Sequence, residues 1–260
     1  MYQRSLRPEL SLRALAVWRR NYLVWKKLAI PSVLGNLADP MIYLFGLGYG
    51  LGGLLPQVEG VPYIVFLAAG TVCASTMNAA SFETLYSGFS RMHVQKTWEA
   101  IMNAPVSLDD VVAGELLWAA AKATLSGVAI LVVISLLGFV HSALALWALP
   151  AIFLTGLAFA ALGLIVTAVA PSYDFFMYYF TLFITPMTLL SGVFFPVDEL
   201  PAPFQAAAQA MPLAHAVQLI RPLLFGQVPD APLLHVAVLA GVAALAFWIA
   251  LILTRRRLLS

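Results

Sequence analysis

Residues 143–170 read ALALWALPAIFLTGLAFAALGLIVTAVA and carry no Asp, Glu, Lys or Arg. The hydrocarbon core of a bilayer is about 30 Å thick, and a helix needs about 20 apolar residues to cross it. This stretch meets that length with residues to spare, so it predicts a membrane span. Its helicity follows from the solvent: in hydrocarbon each unpaired backbone group costs several kcal/mol, and a helix pairs them all within one segment.

Outward from this stretch the pattern repeats. Apolar segments at 28–55, 61–88, 111–137, 174–195 and 233–254 bring the expected number of spans to six. The whole chain agrees: of its 260 residues 62% are hydrophobic and 10% charged, with a mean hydropathy of +0.92. Soluble domains run near 45–50% apolar and about 25% charged, so too few charges exist here to cover a water-exposed surface. The sequence reads as an all-α polytopic membrane protein. A cytoplasmic N-terminus at 1–28 precedes one transmembrane domain at 29–254, and 255–260 form a short tail.

The basic residues predict the orientation. Seven of fourteen lie in the N-terminal segment: Arg4, Arg7, Arg13, Arg19, Arg20, Lys26 and Lys27. Arg91 and Lys96 follow span two, and Arg255, Arg256 and Arg257 end the chain. If six spans alternate, these twelve share one side, which places both termini in the cytoplasm. Lys122 falls within span three, and Arg221 alone follows span five. The apolar run after the N-terminal segment is too long for the core of a cleaved leader and contains Asp39, so no signal peptide is expected.

From about Glu9 the N-terminal segment reads as a helix. At 100° per residue Leu15, Trp18, Tyr22 and Trp25 share one face, while Arg13, Arg20 and Lys27 lie opposite. That pattern suits a helix lying in the headgroup layer. After span two, Val94, Trp98 and Ile101 are spaced as one helical face until Pro105, which cannot continue a helix. Ser107 and Asp110 form a short version of the capping box at the start of span three. On the far side, 191–232 is too apolar for a plain loop. Its two stretches at 204–211 and 213–225 predict short helices that dip into the leaflet or cap the bundle.

Asp39, Glu83, Glu115 and Lys122 lie within or at the ends of apolar spans. A charge at a helix centre costs roughly 2.5–3.5 kcal/mol on insertion scales. They are therefore candidates for an ion relay, against the plainer alternative that they cap helices or pair with one another. His93, His141, His215 and His235 show no metal-ligand spacing and Cys73 is alone, so no metal site is expected. Aromatics crowd the fifth span, from Tyr173 through Tyr178 to Phe183, where they suit either a cavity wall or an interfacial belt. Pro186 is expected to bend that span. No lysine follows a glycine, so the chain lacks a phosphate-binding loop. If ATP drives it, ATP and magnesium belong to another chain. Nothing supports nucleic-acid binding, because the membrane surface accounts for the basic N-terminus.

The cytoplasmic segment from Arg91 to Glu115 reads RMHVQKTWEAIMNAPVSLDDVVAGE. It resembles the segment after the second span of type-2 ABC exporter permeases, in which a Thr-Trp-Glu-Ala helix precedes a Pro…Asp…Gly-Glu approach to span three. The likeness continues through APSYDFF from Ala170, ITPM from Ile184, LSGVFFP from Leu190 and PLAHAVQLIRP from Pro212. Together these are most similar to the membrane subunits of nodulation-factor exporters, the NodJ-type branch, whose cargo is a lipo-chitooligosaccharide.

The resemblance implies a bacterial inner-membrane half-transporter that pairs with a second copy of itself and recruits two ATPase subunits. It would move an amphiphile, such as a lipo-oligosaccharide, a glycolipid or a hydrophobic drug-like compound, through surrounding membrane lipid. Arg91, Lys96, Thr97, Trp98, Glu99, Ala100, Asp109 and Glu115 would belong to the coupling region; Trp98 is expected as the anchor buried in the ATPase, against the plainer alternative that it packs this helix onto spans two and three. Pro171, Ser172, Tyr173 and Asp174 would give a second cytoplasmic contact. Residues 196–230 would be outer re-entrant helices, with Phe195, Pro196, His215 and Arg221 at the gate. The interfacial helix would use Arg13, Trp18, Arg20, Trp25 and Lys27. The pathway is expected along Asn36, Asp39, Asn78, Glu83, Tyr178 and Thr181. One departure stands out: a Trp-Glu-Pro common in span one of the family is here Ala38-Asp39-Pro40. An ion-coupled transporter, or a scaffold that transports nothing, are the alternatives to an ATP-driven exporter.

Overall fold

The computed structural model describes residues 8–55, 57–140 and 142–259. Arg4, Arg7 and His141 lie outside them. Helix α1 (Ala14–Trp25) passes through a 3-10 turn at Lys26–Leu28 into α2 (Ala29–Gly50). A tight hairpin pairs β1 (Gln57–Val58) with β2 (Val61–Pro62) and leads into α3 (Tyr63–Phe82). Two π segments, Glu83–Gly88 and Ser90–Val94, extend α3 toward the short α4 (Thr97–Met102). Then follow α5 (Leu108–Leu136) and α6 (Ala148–Val169), the latter entered through a 3-10 turn at Ala143–Trp147. The chain continues with α7 (Phe175–Tyr179), α8 (Thr185–Leu190), α9 (Ala202–Gln209), α10 (Pro212–Leu224) and α11 (Pro232–Leu258).

Among the described residues, five helical runs are long and apolar enough to cross a membrane: Ala14–Gly50, Tyr63–Val94, Leu108–Leu136, Ala143–Val169 and Pro232–Leu258. The expected span at 174–195 takes the shorter form Phe175–Leu190, which covers about 24 Å at 1.5 Å per residue. Two local features shorten it. Pro186 lacks an N–H, and the helix widens into a π turn at Phe180–Ile184 just before it. Gly192 then adopts φ +79, a left-handed conformation that reverses the chain at little steric cost for glycine.

Helix α3 is the axis of the bundle, and 83% of its most apolar window is buried inside the chain. It packs on α5 and α6, which also pack on each other, while α11 lies along α6. Helix α2 is the opposite case, with only 11% of its window buried. Its exposed Ile30, Ile42 and Tyr49 suit lipid or a further apolar surface.

The start of α5 matches its sequence signal. Ser107 Oγ accepts from Asp110 N, and the Asp110 carboxylate accepts from Ser107 N, which completes a capping box. Two expectations need correction. The single helix through Val94, Trp98 and Ile101 is broken, because Lys96 sits in the left-handed region at φ 54; Val94 is exposed and Trp98 starts a new helix. Helix α1 is not simply a basic stripe opposite an aromatic one. Its buried stripe is Ala14, Val17 and Asn21, turned toward α5. Small residues there permit close approach, and Arg20 is carried inward from the water-facing stripe to half-burial.

Candidate functional site

Two carboxylates organise the end of the bundle where α1, α4, α5 and the π segments meet. Glu115 on α5 is 2% exposed. It accepts hydrogen bonds from Arg91 (Nε at 2.9 and 3.1 Å, Nη2 at 2.5 Å), from Trp98 Nε1 at 3.1 Å and from Asn21 Nδ2 at 3.1 Å. Glu83 accepts from Arg91 Nη2 at 2.9 Å, Lys122 Nζ at 2.7 Å and Trp118 Nε1 at 2.8 Å. Arg91 thus bridges two buried acids, and one network ties α1, α4, α5 and the end of α3 together.

The π segments explain how Arg91 reaches both acids. A π turn adds a residue to the helical circuit and shifts the register of everything after it. Glu83 opens the first such segment and Arg91 lies in the second. The network is costly to build in a low dielectric, yet each acid has several donors, which is the condition under which buried charges are tolerated.

A second layer fastens the termini. Asp109 pairs with Arg255 at the end of α11 and accepts from Glu9 N at 2.7 Å. Asp110 accepts from Ser11 N at 2.6 Å and from Ser11 Oγ at 2.9 Å. Arg13 donates through Nη1 to Pro105 O. Arg257 Nη1 donates to the carbonyls of Thr167, Ala168 and Ala170 at 2.8–3.2 Å, meeting the unsatisfied end of α6.

These distances revise the expected roles. Trp98 is 1% exposed and is enclosed by its own chain, so its indole is not an anchor for a partner. The exposed side of α4 presents Lys96 and Glu99, paired at 3.0 Å, together with Ala100 and Asn103. Pro171, Ser172, Tyr173 and Asp174 form an exposed turn whose Tyr173 ring meets Tyr86 and Phe89. Glu83 belongs to the ionic network, where three donors hold it, and it does not line the apolar cavity between α2, α3 and α7–α8. Its partners lie eight to 39 residues away in sequence, and no periodicity points to them.

A separate apolar cavity of about 630 Å³ lies between α2, α3 and α7–α8. Asp39 and Asn78 line it, and Tyr43, Thr71 and Phe180 add to its wall. Phe195, expected at the gate, also faces it. Tyr178 and Thr181 are exposed instead and do not line it. The inward face of that helix is Phe176 and Tyr179, and at 100° per residue positions 178 and 181 fall outside it. Asn36, half-buried one turn before Asp39, is likewise not on the wall.

At the far end, buried Arg221 donates to Gly192 O at 2.5 Å and lies 3.7 Å above the Phe66 ring centroid. Pro196 begins the next turn. The Nδ1 atoms of His215 and His235 are 2.9 Å apart. Arg221 holds the reversal after α8 against α3. Arg221→Met keeps the stem and removes the donors, so it should cost about 1.5–3 kcal/mol, the usual worth of charged hydrogen bonds. Unfolding midpoints in detergent would read this, and an unchanged midpoint would contradict the tie.

The sequence profile of the family described as ABC-2 type transporter matches residues 13–225. The chain is 54% identical over 252 residues to Nodulation protein J of Rhizobium leguminosarum bv. viciae, covering 97% of each protein. It is 54% identical over 245 residues to Nodulation protein J of Rhizobium meliloti, covering 94% of each. The protein of the same name from Rhizobium leguminosarum bv. trifolii is 53% identical over 252 residues, with 97% of this chain and 96% of that protein covered.

Proposed function

The chain belongs to the ABC-2 type transporter family, and on that footing we propose that it exports a lipid-modified oligosaccharide of the nodulation-factor kind. It is a multi-pass transmembrane permease subunit of an ABC exporter. In the fuller reading two copies associate in the bacterial inner membrane with both termini in the cytoplasm. Each copy takes one ATPase subunit that binds ATP and magnesium. The short helix Phe175–Leu190 counts as the sixth crossing, completed by the chain around it. Helices α9 and α10 are re-entrant on the outer side.

One observation carries the mechanism: α4 leaves one side exposed and is locked through Trp98 to Glu115 on the other. An ATPase that pushes on Lys96, Glu99 and Ala100 would move a rigid unit, because packed elements shift as wholes and do not deform continuously. Through Glu115 and Arg91 that displacement reaches α1, α5 and the end of α3, hence the walls of the apolar cavity. Few charges line that cavity, which suits an amphiphile better than a small ion.

Proteoliposomes holding the permease and its ATPase should move a lipo-oligosaccharide only with ATP. Movement driven by a proton gradient with no ATPase present would overturn the reading. Glu99→Lys places two like charges together on the exposed face of α4. It should weaken ATPase association about tenfold, the effect of one rim charge worth ~1.4 kcal/mol, with the permease's unfolding midpoint unchanged. Co-purification at graded salt would measure it.

A further inference from the structure

A second cavity, of about 620 Å³, opens beside the ionic network and is lined by Arg20, Trp25, Ser32, Tyr86, Lys122 and Tyr173 among others. Its charges do not balance. Among the described residues, Arg20, Arg91 and Lys122 line it with one carboxylate, Glu83, and Glu115 lies behind Arg91. Both acids are already engaged, by Arg91, Lys122 and Trp118 on one side and by Arg91, Trp98 and Asn21 on the other. Arg20 donates to the neutral Asn21 Oδ1 at 2.9 Å, so it carries the excess charge.

A half-buried guanidinium beside a neutral amide favours an anion, and its planar fork suits the paired oxygens of a phosphate or sulfate ester. The cavity rim includes Val24 and Leu28, exposed apolar side chains at the junction of α1 and α2. A molecule held there can therefore keep an alkyl tail in hydrocarbon. The Phe82 and Tyr86 rings stack at 5.4 Å, Tyr86 on the wall of this cavity and Phe82, with Phe180, on the wall of the apolar one.

We propose that this cavity receives the anionic head, a phosphate or sulfate ester, of a lipid-borne cargo, with Arg20 reading the charge. The assignment rests on the export reading only in calling the occupant cargo. Its test uses the permease alone, without ATPase or transport, so the two can fail separately.

The full chain in phosphatidylcholine nanodiscs would be titrated with dodecyl phosphate and with neutral dodecyl maltoside, following fluorescence from Trp25 and Trp118 at the cavity wall. Dodecyl phosphate should give a saturable change at about tenfold lower concentration than the maltoside. Arg20→Gln should raise the apparent Kd for dodecyl phosphate about tenfold. Arg20→Lys should restore part of it, and Arg19→Gln, exposed on the same helix, should leave it unchanged. Equal binding of the two probes, or unaltered binding by a folded Arg20→Gln variant, would overturn the site. If Arg20→Gln does not fold, the comparison of the two probes on the unmodified protein decides alone. Displacement of dodecyl phosphate by phosphatidylglycerol in the bilayer would assign the site to membrane lipid and overturn its role in cargo intake.

Discussion

Glu115→Ala should lower stability by about 3 kcal/mol or more, the range for removing one partner of a buried ion pair. The loss exceeds that of an ordinary salt bridge because three donors from three elements converge on this carboxylate: Arg91, Trp98 and Asn21. Alanine would leave the indole of Trp98 and the amide of Asn21 without their acceptor in a dry setting, at about 1–3 kcal/mol for each group so stranded. Glu83 would still hold one side of Arg91, so the loss stays below the sum of these terms. Glu115→Gln keeps an acceptor and should cost less. A double substitution, Glu115→Leu with Arg91→Met, removes both charges. It should recover much of the stability, because apolar pairs of similar volume often replace buried ion pairs without loss. Glu83 keeps Lys122 and Trp118 in that variant.

The double variant separates stability from coupling. Its unfolding midpoint should lie near the original, while its ATPase partner should no longer respond to substrate, since α4 is then joined to the bundle by packing alone. Strictly additive effects of the two single substitutions would show that the network is not a unit. Normal substrate-stimulated ATPase activity in the stable double variant would remove it from the coupling path.

How much of this was legible in the sequence differs from element to element. The long helices were, because 143–170 and its counterparts have no other stable solvent than lipid or one another. The capping box was, because Ser107 and Asp110 are three residues apart and need no tertiary information. The extent of the fifth apolar segment was not. Its composition continues to Phe195, but the helix stops at Leu190 and Gly192 turns the chain back, a reversal that hydropathy does not register. The ionic network was half legible. Glu83, Glu115 and Lys122 stand out as costly charges in need of partners, but the sequence places Arg91 in the coupling segment without pairing it to these acids. The π turns that swing it inward leave no periodic trace. Trp98 was read as an anchor for another protein because a tryptophan on a short amphipathic helix suits that role. Nothing local reveals that a glutamate on the next helix already accepts its N–H. The same gap hid the stripe Ala14, Val17 and Asn21, whose small and polar members score poorly beside the aromatic face of α1.

That stripe sets the other large effect. A Cβ on Gly114 would lie 2.5 Å from Val17 Cβ and 2.6 Å from the carbonyl oxygen of Ala14. Real Cβ atoms do not come so close, and one of the obstacles is backbone, so rotamer changes cannot relieve the clash. Helix α1 must move away from α5. Gly114→Ala should cost about 1–3 kcal/mol, the usual penalty for overpacking, and Gly114→Val more. The consequence would spread beyond the contact. Asn21 would be drawn off Glu115, and the bonds from Glu9 and Ser11 to Asp109 and Asp110 would lengthen or break. The bundle of α3, α5, α6 and α11 does not depend on α1, so the variant should still insert and fold. Limited proteolysis or cysteine labelling near Val17, buried at 2% exposure, should report a released N-terminal helix. ATP-driven export should fall with it if α1 transmits motion to α2. If Gly114→Val leaves Val17 protected and the unfolding midpoint in place, α1 does not pack closely on α5, and its link to Glu115 goes with it.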